Sequence, residues 1–338
     1  MRLPPRVFLA ILSLILVGTV IWGVATGPAP LGLADIGRAL WTGGGEDMAT
    51  DRTIVWQIRL PRVALAILVG SGLGTAGAVL QGLFRNPLAD PYLLGVSSGA
   101  ALGATVALLA GFTWQVLGLG AVPLAALAGA LFSLWLVYRL ARVGGKLPVF
   151  TLLLAGVAVG CFLTALVSWL VFWGQEKIHH AIFWLMGGFS ARDWADVALC
   201  CPYVLIGIAV CLAWAKELNL LLGGEESACQ LGVNVERAKL VLVVAAALLT
   251  AASVAVGGLI GFVGLVVPHV VRLLVGPDHR VLLPGSALAG AVFLTAADVM
   301  ARTVLAPAEI PLGIVTALAG GPFFMYLLRR KGALNGHA

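Results

Sequence analysis

Residues 240–275 read LVLVVAAALLTAASVAVGGLIGFVGLVVPHVVRLLV, with His269 and Arg272 the only ionisable side chains in the run. A helix crosses a bilayer in roughly 20 apolar residues. This run is too long for one crossing, and Gly257-Gly258 divides it into spans over 240–257 and 258–276. Gly, Ala and Leu dominate without polar-in alternation, which argues against a barrel. Working outward, the same test gives eight more spans: 7–26, 60–82, 93–111, 116–138, 148–172, 198–215, 284–305 and 311–328.

The whole chain supports that reading. Its 338 residues are 61% hydrophobic and 11% charged, with a mean hydropathy of +1.04. Soluble domains carry about 25% charged residues, so hydrocarbon must solvate most of this exterior. A soluble enzyme, a disordered chain and a disulfide scaffold are excluded. The expected fold is all-α: a polytopic membrane protein of ten transmembrane helices in one domain over residues 1–338. Arg2 and Arg6 precede the first apolar run as in a secretory signal. That run extends to Thr26, however, past the usual apolar core of about 7–15 residues, and no cleavage site follows. It is expected to stay as an anchored helix.

Lys and Arg set the orientation. With both termini cytoplasmic, fourteen of the 21 cations face the cytoplasm and seven face outward: Arg38, Arg52, Arg59, Arg62, Lys177, Arg192 and Arg302. The net charge of +6 then needs no nucleic acid. The five cysteines, Cys161, Cys200, Cys201, Cys211 and Cys229, show no metal-ligand spacing, and those in apolar spans act as small hydrophobes. No metal site and no catalytic residue is expected.

Glycines recur four apart at Gly70/Gly74, Gly99/Gly103, Gly156/Gly160 and Gly257/Gly261, the spacing that lets helix backbones approach in lipid. Asn86-Pro87-Leu88-Ala89-Asp90-Pro91 cannot continue a helix, and Gly95-Val96-Ser97-Ser98-Gly99 follows it. Irregular backbone at membrane depth survives only when buried in protein or lining a wet cavity. Asn86, Pro87, Ser97 and Ser98 are therefore candidates for a transport path.

Nothing in the chain supplies energy for transport. The spans hold His269 and Asp298 but no acid/base partner along either helix, so both read as structural groups rather than a proton relay. There is no GxxxxGK[ST] loop: Gly144-Gly145-Lys146 runs into Leu147 and lacks the earlier glycine. Energy must come from a partner. The cytoplasmic stretch 216–239 offers a docking element, with Gly223-Gly224 ahead of Glu225-Glu226, a pattern that suits a short helix N-terminus. Leu231, Val233 and Val235 leave apolar surface outside the membrane. At the outer mouth, Arg59, Arg62 and Arg302 resist the positive-inside tendency. They are expected as solvated flank residues or as a surface for an acidic partner.

Seven strings in order make the chain similar to the permeases of iron-siderophore, haem and vitamin B12 importers, the FecCD-type family of ABC transporters. They are Gln57-Ile58-Arg59-Leu60-Pro61-Arg62, Phe84-Arg85-Asn86-Pro87-Leu88-Ala89-Asp90-Pro91, Leu94-Gly95-Val96-Ser97-Ser98-Gly99-Ala100, Trp184-Leu185-Met186-Gly187-Gly188-Phe189, Gly261 through His269, Asp278-His279-Arg280, and Ala308-Glu309-Ile310-Pro311-Leu312-Gly313. The resemblance covers about Gln57 to Arg330.

It implies a homodimer of ten-helix subunits in a bacterial inner membrane, with two cytosolic ATPases and a periplasmic binding protein. ATP and Mg would sit on the ATPase, and no cofactor on this chain. Arg59, Arg62 and Arg302 would meet acidic residues of the binding protein. Leu218, Leu221, Glu225, Glu226, Ala228, Gln230, Leu231, Gly232 and Asn234 would meet the ATPase. The fifth and tenth helices would line the path. Trp184 and Met186, in an outer segment 174–190, would stand near the pore, and Val149 and Phe150 at an inner gate over 144–151. Some relatives carry small polar residues at that gate, where this chain is bulky and apolar. Motif blocks starting at spans two and seven fit inverted repeats of helices 2–5 and 7–10.

The expected cargo is an Fe(III)-siderophore, with cobalamin or haem as alternatives. Adjacent His179 and His180 read as a solvated pair, with a haem relay as the other reading. An ion-driven secondary transporter acting alone and a membrane scaffold without transport are the readings from other classes.

Overall fold

The computed structural model of the protein describes residues 4–29, 31–41, 49–112, 114–116, 119–174 and 178–335. Arg2 and Lys177, counted above for orientation, lie outside them. Helix α1 (Pro5–Ala25) leads to a short amphipathic α2 (Leu33–Trp41), and α3 (Ala49–Thr53) runs through a π-helical turn, Ile54–Arg59, into α4 (Leu60–Leu83). Next come α5 (Val96–Ala110), a two-residue antiparallel pairing of Gln115–Val116 with Leu119–Gly120, α6 (Ala121–Ala141), α7 (Val149–Trp173) and α8 (Ile178–Leu185). The second half holds α9 (Trp194–Ala213), α10 (Ala215–Leu222), α11 (Glu225–Gln230), α12 (Val235–Gly257), α13 (Val263–Val275), α14 (His279–Thr303) and α15 (Leu312–Asn335).

Helical starts follow side-chain chemistry. Asp193 caps α9 and closes a reciprocal box with Asp196, Asn234 caps α12, and Asp278 caps α14. Each supplies an acceptor to N–H groups that have no partner within the helix.

Two helices form the centre. The apolar windows of α4 and α12 are each 78% buried, against 17% for α1 and 28% for α7 and α9. Their burial depends on missing side chains. A Cβ on Gly74 would collide with the Ser286 carbonyl, and one on Gly290 with the Gly70 carbonyl, so α4 and α14 touch backbone to backbone. Gly99 and Gly103 seat α6 on α5 in the same way, and Gly156 seats Leu93. Gly261, the second member of the fourth predicted pair, faces open space.

Among the described residues seven helices are long and apolar enough to cross a membrane, while α5, α13 and Leu312–Tyr326 of α15 are shorter. The expected continuous spans over 93–111 and 258–276 are corrected accordingly, because both open on unwound backbone. Pro91–Leu94 forms a 3-10 turn and Gly95 adopts φ +71° before α5. Gly258 and Phe262 both stand at φ +67° before α13. The 13 residues of α13 rise about 20 Å, short of a hydrocarbon core of roughly 30 Å. The two breaks meet: the Tyr92 hydroxyl donates to the Ile260 carbonyl and accepts from the Ile260 N–H, both at 2.9 Å.

Candidate docking surfaces and translocation path

At the outer end, Arg59 closes the π-helical turn, Arg62 lies in the first turn of α4 and Arg302 in the last turn of α14. They are 3%, 7% and 2% exposed. Arg59 Nη1 donates to the Val24 and Ala25 carbonyls at 2.7 and 2.9 Å, and Nη2 donates to Ala29 at 2.6 Å. It thereby caps the carbonyls that the end of α1 leaves open. Arg302 Nη2 donates to the Gly23 carbonyl at 2.5 Å, and its Nε lies 3.5 Å from Asp298. Arg62 Nε spans both Asp298 oxygens at 2.9 and 3.1 Å, while Nη1 reaches Glu309 at 2.8 Å.

The expectation of solvated arginines is therefore corrected: in this chain all three are internal cross-links between α1, α4 and α14. Asp298 likewise has two cationic partners, one of them on its own helix. The Asp298/Arg302 spacing of four was the overlooked signal.

Glu309 receives a second hydrogen bond, from Ser190 at 2.5 Å. Burial pushes its pKa upward, but the hydrogen bonds from Arg62 and Ser190 and the arginine charges outweigh it, so the carboxyl titrates below its ordinary range. Burial lowers Arg192, with the Asp196 and Asp193 charges opposing. Arg62, Trp184, Ser190, Arg192, Glu309 and Leu312 line an outer cavity of about 660 Å³. Its wall is stitched by backbone. Gly188 N–H donates to Gly257, Leu312 N–H to Gly187 and Gly313 N–H to Met186, at 2.8, 2.9 and 3.1 Å. Met186 faces a separate depression with Leu259, Ile314 and Leu318. His179 and His180 are exposed on α8.

The other path candidates are not brought into one cavity in the single chain. Ser97 is buried at 6%, against its expected place on an open path, on the side of α5 that packs within the bundle. Ser98 reaches Thr164 on α7 at 3.1 Å, beside a cleft lined by Tyr92, Gly156 and Gly160. Asn86 is exposed, and its side chain closes the turn by accepting from Leu88 N–H. Pro87 borders a cavity with Arg85, Leu222 and Arg272, at the α10 end of the bundle. Val149 is half-buried and Phe150 is 75% exposed.

The segment 216–239 folds as α10, α11 and the start of α12. Leu218, Leu221 and Ala228 point inward and are buried, so these three anchor the element and cannot meet an ATPase directly. Glu226, Gln230, Leu231, Gly232 and Asn234 are exposed, while Glu225 is half-buried against Lys239. Asn219 on α10 donates to Asp278 at 2.7 Å and accepts from the His279 N–H at 2.9 Å. The backbone bond from Arg280, together with Asn219 and outweighing a smaller burial effect, holds Asp278 below the carboxylate range. The sequence singled out Asp278-His279-Arg280 without a role; its place is under α10. No group of three metal-ligating side chains occurs among the described residues.

A helical membrane bundle whose two broken spans pack on the central α4 and α12, with the two short helices α10 and α11 between spans, is built as a transport subunit. Residues 14–330 match the FecCD transport family, and the chain belongs to it. It is 53% identical over 282 residues to the cobalamin import system permease protein BtuC of Halobacterium salinarum, covering 83% of this chain and 75% of that one. It is 42% identical over 335 residues to the hemin transport system permease protein HmuU of Yersinia pestis, covering 98% and 97%. A solved structure described as an inward-facing conformation of a metal-chelate type ABC transporter superposes with a TM-score of 0.83 at 34% identity, over 97% of this chain and 100% of that chain.

Proposed function

We propose that this chain is the membrane permease subunit of an ATP-driven importer for a metal chelate, working as a homodimer by alternating access in a bacterial inner membrane. ATP hydrolysis takes place in separate cytosolic subunits that dock on α10 and α11, and a periplasmic binding protein delivers cargo to the outer end. The observation that carries this reading is the pairing of a FecCD-family bundle with an exposed cytoplasmic element: Glu226, Gln230 and Leu231, the last 67% exposed, stand out from α11 and its C-terminal turn.

The chain then crosses ten times with both termini cytoplasmic, and two features of the helices favour inverted repeats of helices 2–5 and 7–10. Counting spans along the chain, the second and seventh (α4 and α12) are the two most buried. The third and eighth (α5 and α13) are the short ones that follow a left-handed residue. The exposed apolar face of α7, with Phe150, Leu154 and Phe162, supports a second copy across the path. The buried outer arginines then act for the binding protein chiefly by shaping the surface on which Glu309 and Ser190 are exposed.

The sequence put an Fe(III)-siderophore first. The relatives named for cobalamin and hemin favour a corrin or porphyrin chelate, and cobalamin is the cargo we carry forward. Proteoliposomes holding the chain with its ATPase and binding protein should accumulate cobalamin only with ATP. Accumulation driven by an ion gradient without the ATPase would overturn the proposal in favour of a secondary transporter. Haem uptake in place of cobalamin would change the cargo alone.

A further inference from the structure

We propose that Lys239 is the residue through which movement of α11 reaches the α6–α7 connection, an inference that rests on the importer assignment above. Lys239 stands one turn into α12 with its side chain 4% exposed. Its Nζ lies 3.0 Å from Glu225 on α11 and 2.7 Å from Glu236 on α12. The other oxygen of Glu236 accepts the Leu147 N–H at 2.7 Å. One ammonium thus joins the proposed ATPase-docking helix to the segment ahead of α7.

The parts on either side suit transmission. Helix α11 is bounded by Gly224 at φ +111° and Gly232 at φ +84°, conformations that glycine adopts at little cost, so the helix can swing between two permissive joints. The far side is stiff. Val143 and Lys146 exchange two 3.0 Å backbone hydrogen bonds around Gly144-Gly145, both at positive φ, in a tight hairpin turn. Thr151 Oγ1, in the first turn of α7, donates to the carbonyls of Ala141 at the end of α6 and of Pro148 at 3.1 and 2.9 Å, so the two helix ends flanking the turn are joined. A displacement felt at Leu147 therefore carries to the first turn of α7, where Phe150 stands exposed.

A buried ammonium stripped of its partners is strongly unfavourable, whereas Glu225 and Glu236 are 44% and 37% exposed and can turn to water. When α11 moves outward, Lys239 either follows Glu225 and releases Glu236 or stays and lets Glu225 go. Its position decides whether Glu236 keeps hold of Leu147.

The test uses the complete importer in proteoliposomes with cobalamin as the probe, comparing wild type, Lys239→Met, Lys239→Arg and Glu236→Gln, the last at a carboxylate on α12 outside the docking set. The Met and Gln variants should bind the ATPase and hydrolyse ATP, while cargo moved per ATP falls about tenfold; Lys239→Arg should restore most of it. Wild-type yield per ATP in both, or an Arg variant as defective as the Met variant, would overturn the inference. If Lys239→Met does not fold, Glu236→Gln alters only the half-exposed partner of the ammonium and decides the matter.

A second readout needs the chain alone. Spin labels at Val143→Cys and native Cys229, with Cys161 and Cys201 replaced by serine and the labelled chain diluted into unlabelled chain, should give one narrow intrachain distance that broadens in Lys239→Met or, should that variant not fold, in Glu236→Gln. An unchanged distribution refutes the linkage whether or not an ATPase binds. Broadening in a chain that recruits no ATPase leaves the linkage standing and removes the importer assignment.

Discussion

Asp298 is 1% exposed between Arg62 and Arg302, while Glu309 touches the same Arg62 from a half-exposed position. Removing the first leaves two guanidinium groups buried without their shared counter-ion, a class of change that costs about 3 kcal/mol or more. Removing the second affects a pair that solvent screens, worth about 1 kcal/mol or less. Asp298→Asn should therefore lower the thermal midpoint in detergent well beyond Glu309→Gln; equal losses would show that the cluster is not organised around Asp298. Folding lowers the pKa of Glu309, so its contribution is complete above the ordinary carboxylate range. It is lost as pH falls through that range and then through the lower folded value. Acid melts of wild type should lose a component that Glu309→Gln lacks. These arginines were visible in the sequence as exceptions to the positive-inside rule, but charge position along a chain does not tell exposure. Which carbonyls α1 leaves open, and which carboxylate α14 brings across, are tertiary facts.

At the level of elements, hydropathy located every long helix, because a lipid-facing or bundle-facing span must be apolar along its length whatever its neighbours. The breaks were only half legible. Pro87 and Pro91 announce the first, but the second depends on Phe262 at φ +67°, a conformation residues with a β-carbon rarely adopt and one that composition does not disclose. The Tyr92 hydroxyl holds the two breaks together, so Tyr92→Phe should strand the Ile260 N–H and carbonyl at a cost of about 1–3 kcal/mol. Hydrogen exchange at Ile260 should rise while α4 stays protected; unchanged protection at Ile260 would remove the tyrosine from that role. The glycine spacing predicted close packing; both members of Gly70/Gly74 and of Gly99/Gly103 provide it, while in the other two pairs only Gly156 and Gly257 are tightly packed. Gly290→Ala, which drives a methyl toward the Gly70 carbonyl, should cost about 1–3 kcal/mol. Gly261→Ala, facing open space, should be nearly neutral. Thermal midpoints of the two purified variants make the comparison, and comparable losses would place the helix contact elsewhere.

For the whole molecule, the distribution of apolar surface matters more than its amount. Helix α7 carries Phe150, Leu154, Val157 and Phe162 exposed along one chain, and beside them the Ser98–Thr164 hydroxyl pair and the cleft against Tyr92 and Gly160. Lipid would accept the apolar side chains, but a cleft bordered by a hydroxyl pair suits a protein or water neighbour better than hydrocarbon. In the homodimer proposed above, a second α7 faces this surface across a twofold axis, with the path between the copies. Twofold symmetry then brings each residue near the axis opposite itself. Cys161 is exposed on α7 and borders the cleft, whereas Cys229 is exposed on the distant α11. A short bis-maleimide added to detergent-purified protein should therefore yield a covalent dimer that survives Cys229→Ser and disappears with Cys161→Ser. A dimer that needs Cys229 would place the axis beside the cytoplasmic element. Cross-linking absent with every spacer length, from protein that light scattering reports as monomeric, would mean that α7 faces lipid and that each chain carries its own path.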